Sequence, residues 1–235
     1  MDSPRTHTLS VYRTARYAML GGNEPGEDAR TKGETDLEEV WLACHGYGQL
    51  ASYFLRPFRT IEAPHRLFVA PEGLSRFYLE DETRAHYRVG ASWMTRDLRE
   101  AEIADYVRLL DTVYADALAR VGSIGARLTA LGFSQGGATV TRWLAHSAML
   151  GDPPAARLIL WGSALPHDLD IAEHAAWLDR VQLTFVVGSD DAFVSPERLD
   201  EQRHALDEHG IAYEIIEYPG GHRIEEDVLR QLADR

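Results

Sequence analysis

Residues 130–138 read ALGFSQGGA, with Ser134 held between Gly132 and Gly136 directly after an apolar run. A G-x-S-x-G stretch that follows a strand and opens a helix is the setting in which a serine hydroxyl is lifted clear of the backbone and offered to an electrophile. Such a turn is strained and needs small neighbours. The helix behind it directs its N-terminal dipole at any negative charge that develops. The competing explanation is a glycine-rich turn that needed only a small residue, and the partners available elsewhere decide between the two.

A serine hydroxyl is a weak nucleophile near neutral pH and needs a base. Of the ten histidines, His222 in YPGGH follows the last strand candidate and precedes the last helix, where a loop at the carboxyl edge of a sheet would present it. His65, His86, His146, His167, His174, His204 and His209 fall in polar loops or on helix faces and read as solvated. A base of this kind must be held in one tautomer, usually by a carboxylate, and the stretch GSDDAFVSP over 188–196 offers Asp190 and Asp191. The fourth requirement is a pair of N–H donors for an oxyanion. HGYG, 45–48, follows the strand candidate EVWLAC and would supply the amide of Tyr47, with the amide of Gln135 as its partner. His45 is then expected to be structural, bonded to nearby backbone, and Cys44 a buried strand residue.

These groups need elements to position them. Strand candidates are 39–44, 66–70, 127–133, 157–161, 182–188 and 212–217, several of them continuous apolar runs of the kind that parallel strands covered on both faces require. An edge strand is expected within 8–20. Helices are expected over 97–121, capped by Asp97 with Glu100 three residues on, and over 135–150, 196–209 and 225–234, with Pro196 in a first turn. The alternation predicts an α/β fold with a mostly parallel, doubly wound sheet of about seven strands and helices on both faces. Residues 21–36 read as a mobile hairpin loop. Residues 71–96, rich in aromatics, and 163–178 read as walls of a pocket, to which Trp93, Phe193 and Leu165 are assigned; the second is too short for a large helical cap.

The chain of 235 residues carries a formal charge of −13, and Lys32 is its sole lysine. That balance would repel phosphate backbones, so nucleic acid is not an expected partner. A single domain is expected over 1–235. No signal peptide and no ~20-residue apolar span is visible. The single cysteine excludes an internal disulfide and agrees with a cytoplasmic location.

Taken together, HGYG over 45–48, GFSQG over 132–136, G-S-D-D-A-F-V over 188–194 and Gly221-His222 resemble the motifs of α/β hydrolases of the phospholipase/carboxylesterase type, the group that includes acyl-protein thioesterase-like enzymes. The resemblance spans residues 38–235 and favours Asp191 over Asp190 as the acid. Two departures stand out: Gly90-Ala91-Ser92-Trp93-Met94-Thr95 replaces an R-A-W-F-D-like segment, and Ala192 stands where the group has proline. The expected function is a serine carboxylic-ester hydrolase working through Ser134, His222 and Asp191 on short- to medium-chain esters, with no metal or organic cofactor. An acyl thioesterase would use the same machinery, and a non-catalytic binding protein of the same fold is the alternative from another class.

Overall fold

The computed structural model describes residues 4–22, 37–79, 88–122 and 125–235. The strands are β1 Tyr17–Gly21, β2 Glu39–Cys44, β3 Arg66–Pro71, β4 Ser75–Tyr78, β5 Val89–Ser92, β6 Arg127–Phe133, β7 Arg157–Trp161, β8 Gln182–Gly188 and β9 Tyr213–Tyr218. The α-helices are α1 Ala51–Phe54, α2 Arg99–Val121, α3 Gln135–His146, α4 Ile171–Leu178, α5 Pro196–Glu208 and α6 Glu226–Ala233, with a 3-10 turn over Arg56–Ile61.

Seven strands form one sheet in the order β1-β3-β2-β6-β7-β8-β9. All neighbours run parallel except β1, which pairs antiparallel with β3 at the edge. The chain moves outward from β2 to β3 and then crosses back to β6 on the other side of β2. That reversal opens a crevice at the carboxyl ends of β2 and β6, where open α/β sheets place their ligands. The HGYG turn leaves β2 and the serine turn leaves β6, so both arise at the switch point.

The period of two along each strand divides the core. Val40, Leu42, Cys44, Leu128, Ala130, Leu158 and Leu160 pack with Leu110, Val113, Val140 and Trp143 of α2 and α3. Trp41, Ala43, Leu131, Phe133, Ile159 and Trp161 point the other way and pack with Phe54, Phe58, Val228, Leu229 and Leu232 from α1, the 3-10 turn and α6. Helices thus cover both faces. Among the described residues no helix is long and apolar enough to cross a membrane.

Four local expectations change. The edge strand occupies only Tyr17–Gly21, and residues 8–16, exposed except for the half-buried Ala15, stay outside it. Helix α2 begins at Arg99, after Leu98 in a left-handed conformation with no side-chain cap, so Asp97 caps nothing. Within 71–96, where no strand is expected, Ser75–Tyr78 and Val89–Ser92 pair antiparallel as β4 and β5. Helix α3 stops at His146, where Ser147 turns extended and bonds Asp111 through its hydroxyl. The expected hairpin loop lies outside the described residues from 23 onward, as do His86 and Tyr87.

Candidate active site

Ser134 has φ 53° and ψ −120°, an unusual backbone for a residue with a Cβ. Two hydrogen bonds and a buried neighbour hold it there. Its N–H donates to the Trp161 carbonyl at 2.9 Å, its carbonyl accepts from Gly137 N–H at 2.9 Å, and Phe133 before it is buried. The flanking glycines are dictated by close approach: a Cβ at Gly132 would strike Gly136 and Gly137, and one at Gly136 would strike the carbonyls of Cys44 and His45. Helix α3 is therefore pressed against β2, which brings the HGYG turn to the serine. A Cβ at Gly46 would lie 3.2 Å from Ser134 Cβ.

His222 stands in the loop after β9. Its Nδ1 is 2.8 Å from Asp191 Oδ2. The Asp191 side chain is fully buried, and its Oδ1 accepts from Phe193 N–H at 2.8 Å. Asp190 next to it is exposed and spends its backbone N–H on the Gly220 carbonyl. A buried carboxylate that accepts from Nδ1–H leaves Nε2 as the basic nitrogen of a neutral imidazole. The ring lies 4.7 Å from Phe133, the neighbour of Ser134, and 4.6 Å from Phe193. Its loop is anchored from below: Tyr218 Oη is 2.7 Å from the carbonyls of Gly221 and Arg223, and Trp161 Nε1 donates to Arg223 O at 3.0 Å.

The HGYG turn is locked peptide by peptide. His45 is fully buried, its Nδ1–H donates to Gly46 O at 2.7 Å, and its Nε2 accepts from Gly73 N–H at 3.0 Å. This pairing needs the neutral ring, and burial pushes the His45 pKa down in the same direction. Gly46 O also accepts from Gln49 N–H at 3.2 Å, and Gly46 N–H donates to Gln49 Oε1 at 2.8 Å. Because N–H and C=O point oppositely across a trans peptide, fixing the Gly46 carbonyl fixes the direction of Tyr47 N–H. Among the described residues neither Tyr47 N–H nor Gln135 N–H donates to a protein acceptor. Two unspent amides beside a strained serine can stabilise an alkoxide or oxyanion.

The three residues expected to line a pocket separate. Trp93 and Leu165 are 2% and 4% exposed and belong to the core, whereas Phe193 is 70% exposed against His222. Trp93 is spent on the turn, its Nε1 donating to His45 O at 2.8 Å. Its position directly after a strand, in a segment that also contacts Gln135, is a matter of tertiary packing that no spacing in the chain announces.

Sequence reasoning also passed over Gly162. It directly follows β7 at φ +54°, and a Cβ there would lie 2.8 Å from His222 Cε1 and 3.1 Å from Asp191 Oδ2. A glycine closing the apolar run RLILW was the available signal. The segment that follows it carries Asp168, which is bonded by Arg142 from α3 at 2.6 Å and by Arg99 from the start of α2 at 2.6 Å. Burial pushes the Asp168 carboxyl upward, but the two guanidiniums outweigh it and hold its pKa far below the usual carboxylate range.

A family model described as "Serine hydrolase (FSH1)" matches residues 41–227. No curated protein matches the chain. Among solved structures, the esterase PE8 aligns with TM-score 0.65 at 19% identity over 94% of this chain and 97% of that one. A carboxylesterase from Mesorhizobium loti aligns with TM-score 0.63 at 21% identity over 94% of each chain. Zea mays acyl-protein thioesterase 2 aligns with TM-score 0.62 at 16% identity over 94% and 97%. At these identities the likeness establishes the α/β-hydrolase fold.

Proposed function

The chain belongs to the serine hydrolase (FSH1) family, and from that premise we propose that it hydrolyses small carboxylic esters through Ser134, His222 and Asp191. The observation that carries this reading is the 2.8 Å bond from His222 Nδ1 to the buried Asp191, beside a serine held in strained backbone at the switch point of the sheet. In this reading His222 Nε2 takes the Ser134 proton as Oγ attacks the ester carbonyl. The amides of Tyr47 and Gln135 receive the oxyanion, and collapse expels the alcohol with the proton that His222 returns. Water, activated by the same imidazole, then attacks the acyl-enzyme and releases the acid. Asp191 orients the ring and stabilises the imidazolium without taking its proton.

Short- to medium-chain acyl groups fit the surroundings. Between β7 and β8 the only helix is α4, eight residues long, too little to roof a long tail. Trp93 and Leu165 are committed to the core, and Phe193 lies open beside His222. Each buried methylene is worth about 0.8 kcal/mol, so carbons that stay in water add nothing. The test is kcat/KM on p-nitrophenyl esters from two to sixteen carbons, with matched acyl thioesters. The reading expects a maximum among the shorter chains and faster ester than thioester turnover. Values still climbing at the longest chain would overturn the proposed acyl site, and thioesters turned over faster would make the enzyme a thioesterase with the same machinery.

A further inference from the structure

We propose that the carboxamide of Gln135 and the indole of Trp93 are positioning residues that hold the two oxyanion-facing N–H groups at a fixed separation. The proposal rests on the reading of Ser134 as nucleophile. Tyr47 N–H and Gln135 N–H stand on different loops, and the ladder between β2 and β6 ends at the pair Cys44 and Gly132, three residues before each. Their spacing therefore depends on what bridges the loops beyond the sheet.

Strand β5 and the residues after it form that bridge. Toward the HGYG turn, Gly48 N–H donates to Ala91 O at 2.8 Å, Ala91 N–H donates to Gln49 O at 3.2 Å, and Trp93 Nε1–H donates to His45 O at 2.8 Å. The approach is close enough that a Cβ at Gly90 would meet the Gly48 backbone. Toward the serine turn, Gln135 Oε1 accepts from Trp93 N–H at 3.1 Å, Gln135 Nε2 donates to Met94 O at 2.9 Å, and Ser92 Oγ lies 3.3 Å from Oε1. Trp93 thus binds one loop through its main chain and the other through its side chain. Its ring is buried, 4.9 Å from the His45 ring and 6.3 Å from Tyr106, so it cannot swing to accommodate a shift. Any movement of one donor is carried to the other.

Donors of this kind act on the transition state, whose oxygen must reach both N–H groups at about 2.7–3.1 Å. Loss of their spacing therefore lowers kcat and leaves ground-state binding alone. Trp93→Phe keeps an aromatic side chain but removes the indole N–H that bonds His45 O, together with part of the buried ring, a packing loss that is read separately as Tm. Gln135→Leu removes the carboxamide and keeps the main-chain amide. Each variant is measured per active site titrated with a fluorophosphonate. Trp93→Phe is expected to lose about 10-fold in kcat and Gln135→Leu about 10- to 100-fold, up to the cost of a whole donor, with KM within two-fold. A trifluoromethyl ketone, whose adduct carries the oxyanion, should lose affinity by the same factor as kcat/KM. A purely structural role would lower Tm and the titratable fraction but leave kcat per site and ketone affinity unchanged, and that result overturns the proposal. Losses confined to KM overturn it as well. If the fluorophosphonate leaves Ser134 unmodified, the nucleophile reading itself has failed. With Ser134 modified and kcat per site unchanged, only the positioning proposal falls.

Discussion

Gly162→Ala asks whether the pairing of His222 with Asp191 depends on the shape left for it by β7. At φ +54° the new side chain enters a left-handed backbone, at a cost of roughly 1–2 kcal/mol. Its Cβ would lie 2.8 Å from His222 Cε1 and 2.9 Å from Nδ1, against an ordinary contact that begins at 3.4 Å. The imidazole must retreat by the difference, about 0.6 Å, if the strand holds its place. A retreat of that size along the bond to Asp191 stretches it from 2.8 Å to about 3.4 Å, beyond a charge-assisted hydrogen bond. Misplacing a catalytic group by about 1 Å costs on the order of 10²-fold, and losing the carboxylate's hold on the ring costs about 10⁴-fold. The expected fall in kcat is therefore about 10²- to 10³-fold, with KM little changed. Thermal unfolding should come earlier by about 2–8 °C, at roughly 2–4 °C per kcal/mol for a chain of this size. The assay is p-nitrophenyl acetate turnover per titrated site, with Tm by circular dichroism. A variant within two-fold of wild type in kcat would refute the idea that this glycine makes room for the pair.

Asp191→Asn should lower kcat by about 10⁴-fold by favouring the wrong imidazole tautomer, whereas Asp190→Asn, at an exposed position, should stay within a few-fold; steady-state kinetics of the two side by side decide, and the reverse ranking moves the acid one residue upstream. Asp168→Asn strips the Arg142 guanidinium, 7% exposed, of its carboxylate and should cost about 2–4 kcal/mol in urea unfolding, less than for a fully buried pair because Asp168 is partly open to water. The double variant Asp168→Asn with Arg142→Met should recover much of that loss, since no buried charge is left unpaired; a double variant as unstable as the single one would contradict this.

The parts of the molecule legible from the chain are those written as local pattern. Five of the seven strands of the main sheet are continuous parallel runs such as RLTALGF and QLTFVVG, whose neighbours on both faces are helices, so apolarity alone marks them. Ser134 follows β6 directly, the Asp190-Asp191 pair follows β8 after Ser189, and His222 lies in the loop that leaves β9, and position after a strand is itself visible in sequence. Trp93 is hard to place from the chain because an aromatic in a long connection looks the same whether it lines a pocket or packs in the core, where the structure has it buried. What separates the two is its bond to His45 O, forty-eight residues away in the chain. The ribbon of β4 and β5 escaped notice for a similar reason: four-residue strands such as VGAS carry little alternation and are defined by their partners. Gly162 owes its identity to a histidine sixty residues later, a distance over which no spacing rule operates.

The central claim is that Ser134 is the nucleophile of an ester hydrolase, and covalent capture tests it most directly. The protein is treated with a fluorophosphonate, digested, and the adduct located by mass spectrometry, alongside Ser134→Ala assayed on p-nitrophenyl acetate. The account predicts a single phosphonylated residue, Ser134, and a fall in kcat of about 10⁴- to 10⁶-fold in the variant, because members of such a constellation act as a unit. An adduct on another serine, or a Ser134→Ala protein that still turns over ester at a rate near wild type, would contradict it.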